Sequence, residues 1–231
     1  MRRYGRLLGS GLALSSALLC APQALRAEER AAGTEGSREL ATESITEPRG
    51  AGSAFFGRGV KQTGIAVGYG LGFRFGSQSD RRSVPDLANV RFVEVLPRFG
   101  FQPFDRIGGE HWYRGNLDVL LEGTFIANTN PGGYAIGATN VLRWNFLAMQ
   151  RVVPFADIFL GVMAFDMNLP NQADGHIFNV GGGLGSYWFF RDRTALAGEV
   201  RYQHLSNAYT LRPNRGINDV LFLVSLSHFW R

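Results

Sequence analysis

The feature that most constrains the fold of this chain is an alternation of apolar and polar residues that runs from residue 62 to the C-terminus. A period of two predicts β-strands, and most of the alternating segments are long enough for strands that cross a membrane at a tilt. Thirty glycines and eighteen phenylalanines also suit many short strands and tight turns. The eight segments are 62–75, 89–101, 112–127, 133–147, 152–166, 175–190, 193–206 and 217–230.

The two faces of these segments predict a barrel with lipid outside. In the third segment Leu117, Val119 and Leu121 share one face, while Asn116 and Asp118 share the other. The charges that this register turns inward are nearly balanced in sign, as a closed interior requires. A water-soluble barrel would place its apolar residues inside, and a half-exposed sheet with solvated charges is the other alternative. The predicted inward charges are Arg74, Glu94, Arg98, Asp118, Glu122, Arg143, Asp157, Glu199 and Arg201.

We therefore predict an all-β fold, an eight-stranded antiparallel transmembrane β-barrel of the outer-membrane type, over residues 61–231. The four tryptophans indicate its orientation. With both chain termini in the periplasm, Trp112 begins an ascending strand, and Trp144, Trp188 and Trp230 end descending strands. All four then lie at the periplasmic interface, where aromatic rings form a belt.

The first 60 residues differ from the rest of the chain. Arginines followed by the apolar stretch 7–20 predict a signal peptide, residues 1–27, cleaved after Ala27. Cys20 allows a lipoprotein signal as an alternative, but Leu19 stands where that signal needs a small residue. Residues 28–60 are polar and lack any strand period, so we expect a flexible periplasmic extension without packing of its own.

The seventh and eighth segments carry the residues that point to chemistry. Counting by twos from Tyr202 places His204 and Ser206 on the lipid face at the outer end of the strand. Polar groups are costly to place against lipid, and neighbours at i and i+2 bring a serine oxygen within reach of an imidazole. Asn218 faces the same way and Asp219 faces inward, so Asn218 is the predicted partner of the histidine. A bulge that turns Asp219 outward is one alternative, and a purely interfacial His and Ser is another.

The sequence His204-Leu205-Ser206-Asn207-Ala208, followed by Pro213-Asn214-Arg215-Gly216-Ile217, resembles the C-terminal signature of PagL-type lipid A 3-O-deacylases. The resemblance implies an outer-membrane barrel that removes the 3-linked acyl chain of lipid A. It implies that Ser206 is the nucleophile and His204 the general base. Asn207 and Ala208 would support the site, and Asn214 would help bind the oxyanion together with nearby backbone N–H groups.

Asn218 departs from the family pattern, which has an acidic residue after the Gly-Ile pair. An amide can hold an imidazole in one tautomer, but it cannot stabilise the imidazolium with a full charge. Three alternatives follow: a working Ser-His-Asn site, a slower enzyme, or a barrel that has lost catalysis.

The remaining features concern cofactors and partners. No cofactor or metal is expected, because the four histidines fall on different strands or ends and no phosphate loop is present. The predicted partners are lipid A, or lipopolysaccharide, and the outer membrane. The net charge of +5 comes from scattered residues, which favours an anionic membrane surface over nucleic acid. The oligomeric state stays open, a homodimer included. The alternative functions are a non-catalytic structural or adhesive barrel and an acyltransferase.

Overall fold

The computed structural model describes residues 52–73, 90–169 and 171–231. Its eight antiparallel strands close into a barrel in chain order, with the last strand paired to the first. This confirms the predicted fold class. None of the described residues forms a helix long and apolar enough to cross a membrane. The strands are β1 Lys61–Phe73, β2 Arg91–Phe101, β3 Gly115–Asn130, β4 Tyr134–Phe146, β5 Val152–Asp166, β6 Gly175–Arg191, β7 Thr194–Ser206 and β8 Ile217–Trp230.

The barrel has an apolar outer wall, because successive side chains of each strand point alternately outward and inward. Large apolar side chains such as Val67, Leu121 and Val224 lie at least half exposed on the outside. Every predicted inward charge within the described residues is buried, and Arg74 lies outside those residues. An apolar exterior around an interior that holds the charges is the arrangement that lipid surroundings stabilise.

The middle of the barrel interior is an ion-paired core rather than an open channel. Arg143 Nη2 donates to Asp157 Oδ2 at 2.6 Å and to Glu199 Oε2 at 3.0 Å. Arg201 Nη1 and Nη2 donate to the two carboxylate oxygens of Glu122 at 2.7 and 2.9 Å. Arg98 completes the network through Glu122 and Glu199. Three arginines thus face three carboxylates, which offsets the cost of taking these charges out of water.

An apolar plug closes the barrel end at which Lys61 pairs with Trp230, which we call the termini end. A short 3-10 helix, Gly52–Phe55, leads into Phe56, whose ring lies 5.2 Å from that of Phe229. Arg106 fixes this segment by donating to the carbonyl of Phe56 at 3.0 Å. The expectation that residues 28–60 have no packing therefore does not hold for residues 52–60. The rest of that extension and the predicted signal peptide lie outside the described residues.

All four tryptophans lie at the termini end. Trp144 and Trp188 lie near the ends of β4 and β6, and Trp230 is the last residue of β8. Trp112 is 79% exposed and belongs to the turn before β3 rather than to the strand itself. Gly108 and Gly109 have positive φ angles and turn the chain there, so β3 begins at Gly115 instead of residue 112.

Candidate active site

The candidate site lies at the opposite end of the barrel, where β7 ends and β8 begins. The two strands pair without a register shift, and His204 stands directly opposite Asn218. His204, Ser206 and Asn218 are half-buried on the outer wall, whereas Leu205 and Asp219 between them are fully buried inside. No bulge turns Asp219 outward, so the amide is the side chain that faces the imidazole.

Asn218 holds the imidazole through its amide oxygen. His204 Nδ1 lies 2.8 Å from Asn218 Oδ1, and an amide oxygen only accepts hydrogen bonds, so Nδ1 carries the proton. In the neutral ring, Nε2 then keeps its lone pair. The Tyr202 hydroxyl donates to the same Oδ1 at 2.8 Å. The sequence placed Tyr202 on the lipid face but gave it no part in the site.

Ser206 lies two residues beyond His204 on the same face, beside Phe178 of β6. Within the part of the chain that the structure describes, no hydrogen bond joins its hydroxyl to His204. Two residues along a strand span about 6.6 Å between Cα atoms, so a rotation of either side chain brings Oγ towards the ring. Catalytic hydrogen bonds often form only once substrate is bound.

The loop 207–216 wraps over this strand end. Ala208 and Tyr209 adopt left-handed backbone angles, with φ of 51° and 61°, which turns the chain immediately after the serine. The Asn207 backbone N–H donates to Asn214 Oδ1 at 3.2 Å, so the two asparagines hold the loop closed. The Asn207 carbonyl accepts hydrogen bonds from Thr210 N and Oγ1, at 3.0 and 2.6 Å.

The loop also carries N–H groups that could donate to an oxyanion. Within the described residues, the Ala208 backbone N–H and Asn214 Nδ2 have no hydrogen-bond acceptor. The Asn207 side chain is buried inside, and neither of its polar atoms has a partner there. Its contribution to the loop is therefore through its backbone.

Gly216 confines the imidazole at its Cε1–Nε2 edge. A Cβ at this position would lie 2.7 Å from His204 Cε1 and 3.3 Å from Nε2. The φ angle of Gly216 is +66°, so both the backbone and the contact favour glycine. The Gly216 N–H donates to Oε1 of the buried Gln172 at 3.0 Å.

Gln172 belongs to residues 171–174, before β6, which brace the first loop. Ala173 N donates to the Pro213 carbonyl at 2.7 Å, and Arg215 N donates to the Asn171 carbonyl at 3.1 Å. The positions of both loops are thereby coupled to that of the imidazole. Sequence reasoning missed Gln172 because this contact joins separate hairpins and leaves no local spacing.

The described residues contain no group of three or more side chains suited to a metal ion. What the site offers is a hydroxyl, an oriented imidazole and N–H donors, which are the components of nucleophilic acyl transfer.

The closed barrel and its apolar wall define the class of this protein, a small outer-membrane β-barrel. The sequence then identifies its family. The family model described as "Lipid A 3-O-deacylase (PagL)" matches residues 98–227, more than half of the chain. This protein therefore belongs to the lipid A 3-O-deacylase (PagL) family and is an outer-membrane barrel of the lipid A deacylase type.

Comparison with curated proteins gives no significant match. Similar solved structures include the outer membrane enzyme PagL, with 17% identity, 71% of this chain and 97% of that chain covered, and a TM-score of 0.49. The outer membrane protein OprG from Pseudomonas aeruginosa has 11% identity, with 79% of this chain and 99% of that chain covered, and a TM-score of 0.41. The outer membrane protein AlkL in lipid bilayers has 12% identity, with 89% of this chain and 97% of that chain covered, and a TM-score of 0.37.

Proposed function

We propose that this protein is a serine esterase that hydrolyses the 3-linked acyl ester of lipid A in the outer leaflet. Ser206 is the nucleophile, His204 the general base and Asn218 the residue that orients the imidazole. The observation that carries the proposal is the hydrogen bond of 2.8 Å from His204 Nδ1 to Asn218 Oδ1, on the lipid-facing wall beside Ser206. It leaves Nε2 as the proton acceptor, which general-base catalysis requires.

The location fits a substrate that never leaves the membrane. Lipid A has its acyl chains in the hydrocarbon layer and its sugars at the surface. Its ester bonds therefore lie near the level at which β7 ends. The side chains below the site on this wall, Val200 and Phe222, are exposed and apolar, so the acyl chain finds a surface like that of a neighbouring lipid.

The first half of the reaction transfers the acyl group to the enzyme. Ser206 Oγ attacks the ester carbonyl carbon, and its proton moves to His204 Nε2. The Ala208 N–H and Asn214 Nδ2 donate to the oxygen that becomes negative. The bond to the sugar oxygen then breaks, and His204 returns the proton to that oxygen. The sugar leaves with a free hydroxyl, and the acyl group stays on Ser206.

The second half uses water. His204 Nε2 takes a proton from water as its oxygen attacks the acyl carbonyl. The tetrahedral intermediate collapses, and the proton passes to Ser206 Oγ. The products are a 3-hydroxy fatty acid and free enzyme. The Asn218 amide keeps the ring in the required tautomer, but it offers the transient imidazolium only a neutral partner.

The test is to incubate the purified barrel with lipid A in detergent micelles and follow the products by mass spectrometry. Wild type should release a 3-hydroxy fatty acid, and Ser206→Ala should not. Ser186→Ala is the matched control, because Ser186 is another half-buried serine on the outer wall, near the other end of the barrel. Release that survives Ser206→Ala would exclude Ser206 as the nucleophile.

The same assay separates the alternative functions. A folded wild-type barrel that releases no fatty acid would support a structural role. Transfer of the acyl chain to an added phospholipid would identify an acyltransferase.

A further inference from the structure

The Asn218 amide has two different ends, and the orientation of this amide decides which imidazole nitrogen carries the proton. With Oδ1 towards the ring, Nδ1 is protonated and Nε2 is basic, as the distance of 2.8 Å between Oδ1 and Nδ1 indicates. With Nδ2 towards the ring, the amide donates to Nδ1, and the proton moves to Nε2. The second arrangement leaves no lone pair on the nitrogen that would face a serine.

We propose that Tyr202 is a positioning residue of this site, whose hydroxyl holds the Asn218 amide with its oxygen towards His204. This inference rests on the proposed function and adds to it the residue that fixes the tautomer. The Tyr202 hydroxyl donates to Asn218 Oδ1 at 2.8 Å, so Oδ1 accepts from Tyr202 and from His204 together. With the amide turned over, Tyr202 and His204 Nδ1 would both have to accept hydrogen bonds from Nδ2. A phenol hydroxyl donates more strongly than it accepts, so Tyr202 favours the orientation with Oδ1 towards His204.

The surrounding residues restrict where this hydroxyl lies. Tyr202 and Asn218 are diagonal neighbours across the β7–β8 pair, since Tyr202 pairs with Val220. The Tyr202 ring lies 6.1 Å from the ring of Phe73, which itself pairs with Asn218 across β1 and β8. Three strands thus place Tyr202 beside the amide. The arrangement is one of side chains on the outer wall, so removing the hydroxyl leaves the barrel interior untouched.

The experiment measures the tautomer and the rate in Tyr202→Phe. The barrel is labelled with ¹⁵N-histidine and studied in micelles. Two-bond proton–nitrogen spectra show which nitrogen of His204 carries the proton, and the His204 signals are those lost in His204→Gln. Wild type should show Nδ1–H. In Tyr202→Phe the Nε2–H form should gain about three- to tenfold in relative population, the worth of one neutral hydrogen bond. The kcat of lipid A deacylation should fall in proportion to the fraction of His204 that remains Nδ1–H, with KM unchanged.

The Asn218→Asp background distinguishes a Tyr202 that orients the amide from a Tyr202 that only supports the local structure. A carboxylate has two acceptor oxygens, so its orientation no longer decides the tautomer. The tautomer shift and the loss of kcat caused by Tyr202→Phe should therefore both disappear in the Asn218→Asp background. Tyr69→Phe is the matched control, because Tyr69 is a tyrosine of the same 39% exposure on the outer wall of β1. It should leave tautomer and rate unchanged.

Three results would overturn the proposal: an Nε2–H histidine in wild type, a tautomer ratio that Tyr202→Phe leaves unchanged, or an equal loss in both backgrounds. A barrel whose tautomer responds to Tyr202→Phe but which releases no fatty acid would uphold the positioning role while the proposed function fails.

Discussion

Gly216→Ala should disable the site while leaving the barrel folded. The added Cβ would lie 2.7 Å from His204 Cε1, whereas carbon atoms in contact keep about 3.5 Å, so the ring edge must retreat by roughly 0.8 Å. A misplacement on the order of 1 Å in a catalytic group lowers the rate by about 100-fold. The φ angle of +66° adds a backbone cost of about 1 kcal/mol for alanine.

Gly109→Ala is the control that separates the two effects. Gly109 also has a left-handed backbone, with φ +51°, but no atom lies within 4 Å of a Cβ built there. It therefore shares the backbone cost without the collision.

The assay compares initial rates of fatty-acid release for wild type, Gly216→Ala and Gly109→Ala. The mobility difference between heated and unheated barrel on a detergent gel reports folding. We expect about a 100-fold lower kcat/KM only in Gly216→Ala. A folded Gly216→Ala variant with activity within about twofold of wild type would contradict a collision with His204, and so would an equal loss in Gly109→Ala.

Three further changes probe other parts of the molecule. Asn218→Asp places a carboxylate opposite His204 Nδ1 and should raise kcat about fivefold, because a hydrogen bond to a charged group exceeds a neutral one by roughly 1 kcal/mol; a folded variant with a lower rate would contradict this. Phe56→Ala should lower the free energy of unfolding by about 3–5 kcal/mol, since Phe56 is 1% exposed inside the plug. Urea titrations followed by tryptophan fluorescence measure this change. The control Phe104→Ala, which truncates an exposed ring, should change the free energy of unfolding by less than about 0.5 kcal/mol. Glu199→Gln removes the charge that faces Arg143 and should cost about 3–5 kcal/mol in the same titration; a loss under about 1 kcal/mol would mean that the ion-paired core adds little stability.

Much of the fold was predictable because a barrel strand encodes its own geometry. The period of two is local, and one register error would turn every charge towards lipid. The ends of the predicted segments 175–190 and 217–230 therefore agree with the ends of β6 and β8 to within one residue. The start of β3 was wrong by three residues because the turn at Gly108 and Gly109 precedes a stretch that also alternates.

The plug was missed for a different reason. Phe55 and Phe56 lie in a segment with no period, and the ring partners of Phe56 are far along the chain, at Phe189 and Phe229. Contacts of this kind depend on how the barrel closes, and no short pattern records them.

The site divides in the same way. The shared face of His204, Ser206 and Asn218 follows from counting by twos along paired strands. The hydrogen bond between Tyr202 and Asn218 depends on side-chain rotamers, and the contact between Gln172 and Gly216 depends on two separate loops meeting. Neither arrangement has a spacing that a sequence could show.

We propose Ser206 as a nucleophile that His204 activates. The most direct measurement is peptide mass mapping after reaction with a long-chain alkyl fluorophosphonate, which leaves a stable phosphonate ester on an activated serine. We expect one adduct, on Ser206, and none in His204→Gln. An unmodified Ser206 in a barrel that still releases 3-hydroxy fatty acid from lipid A would contradict it.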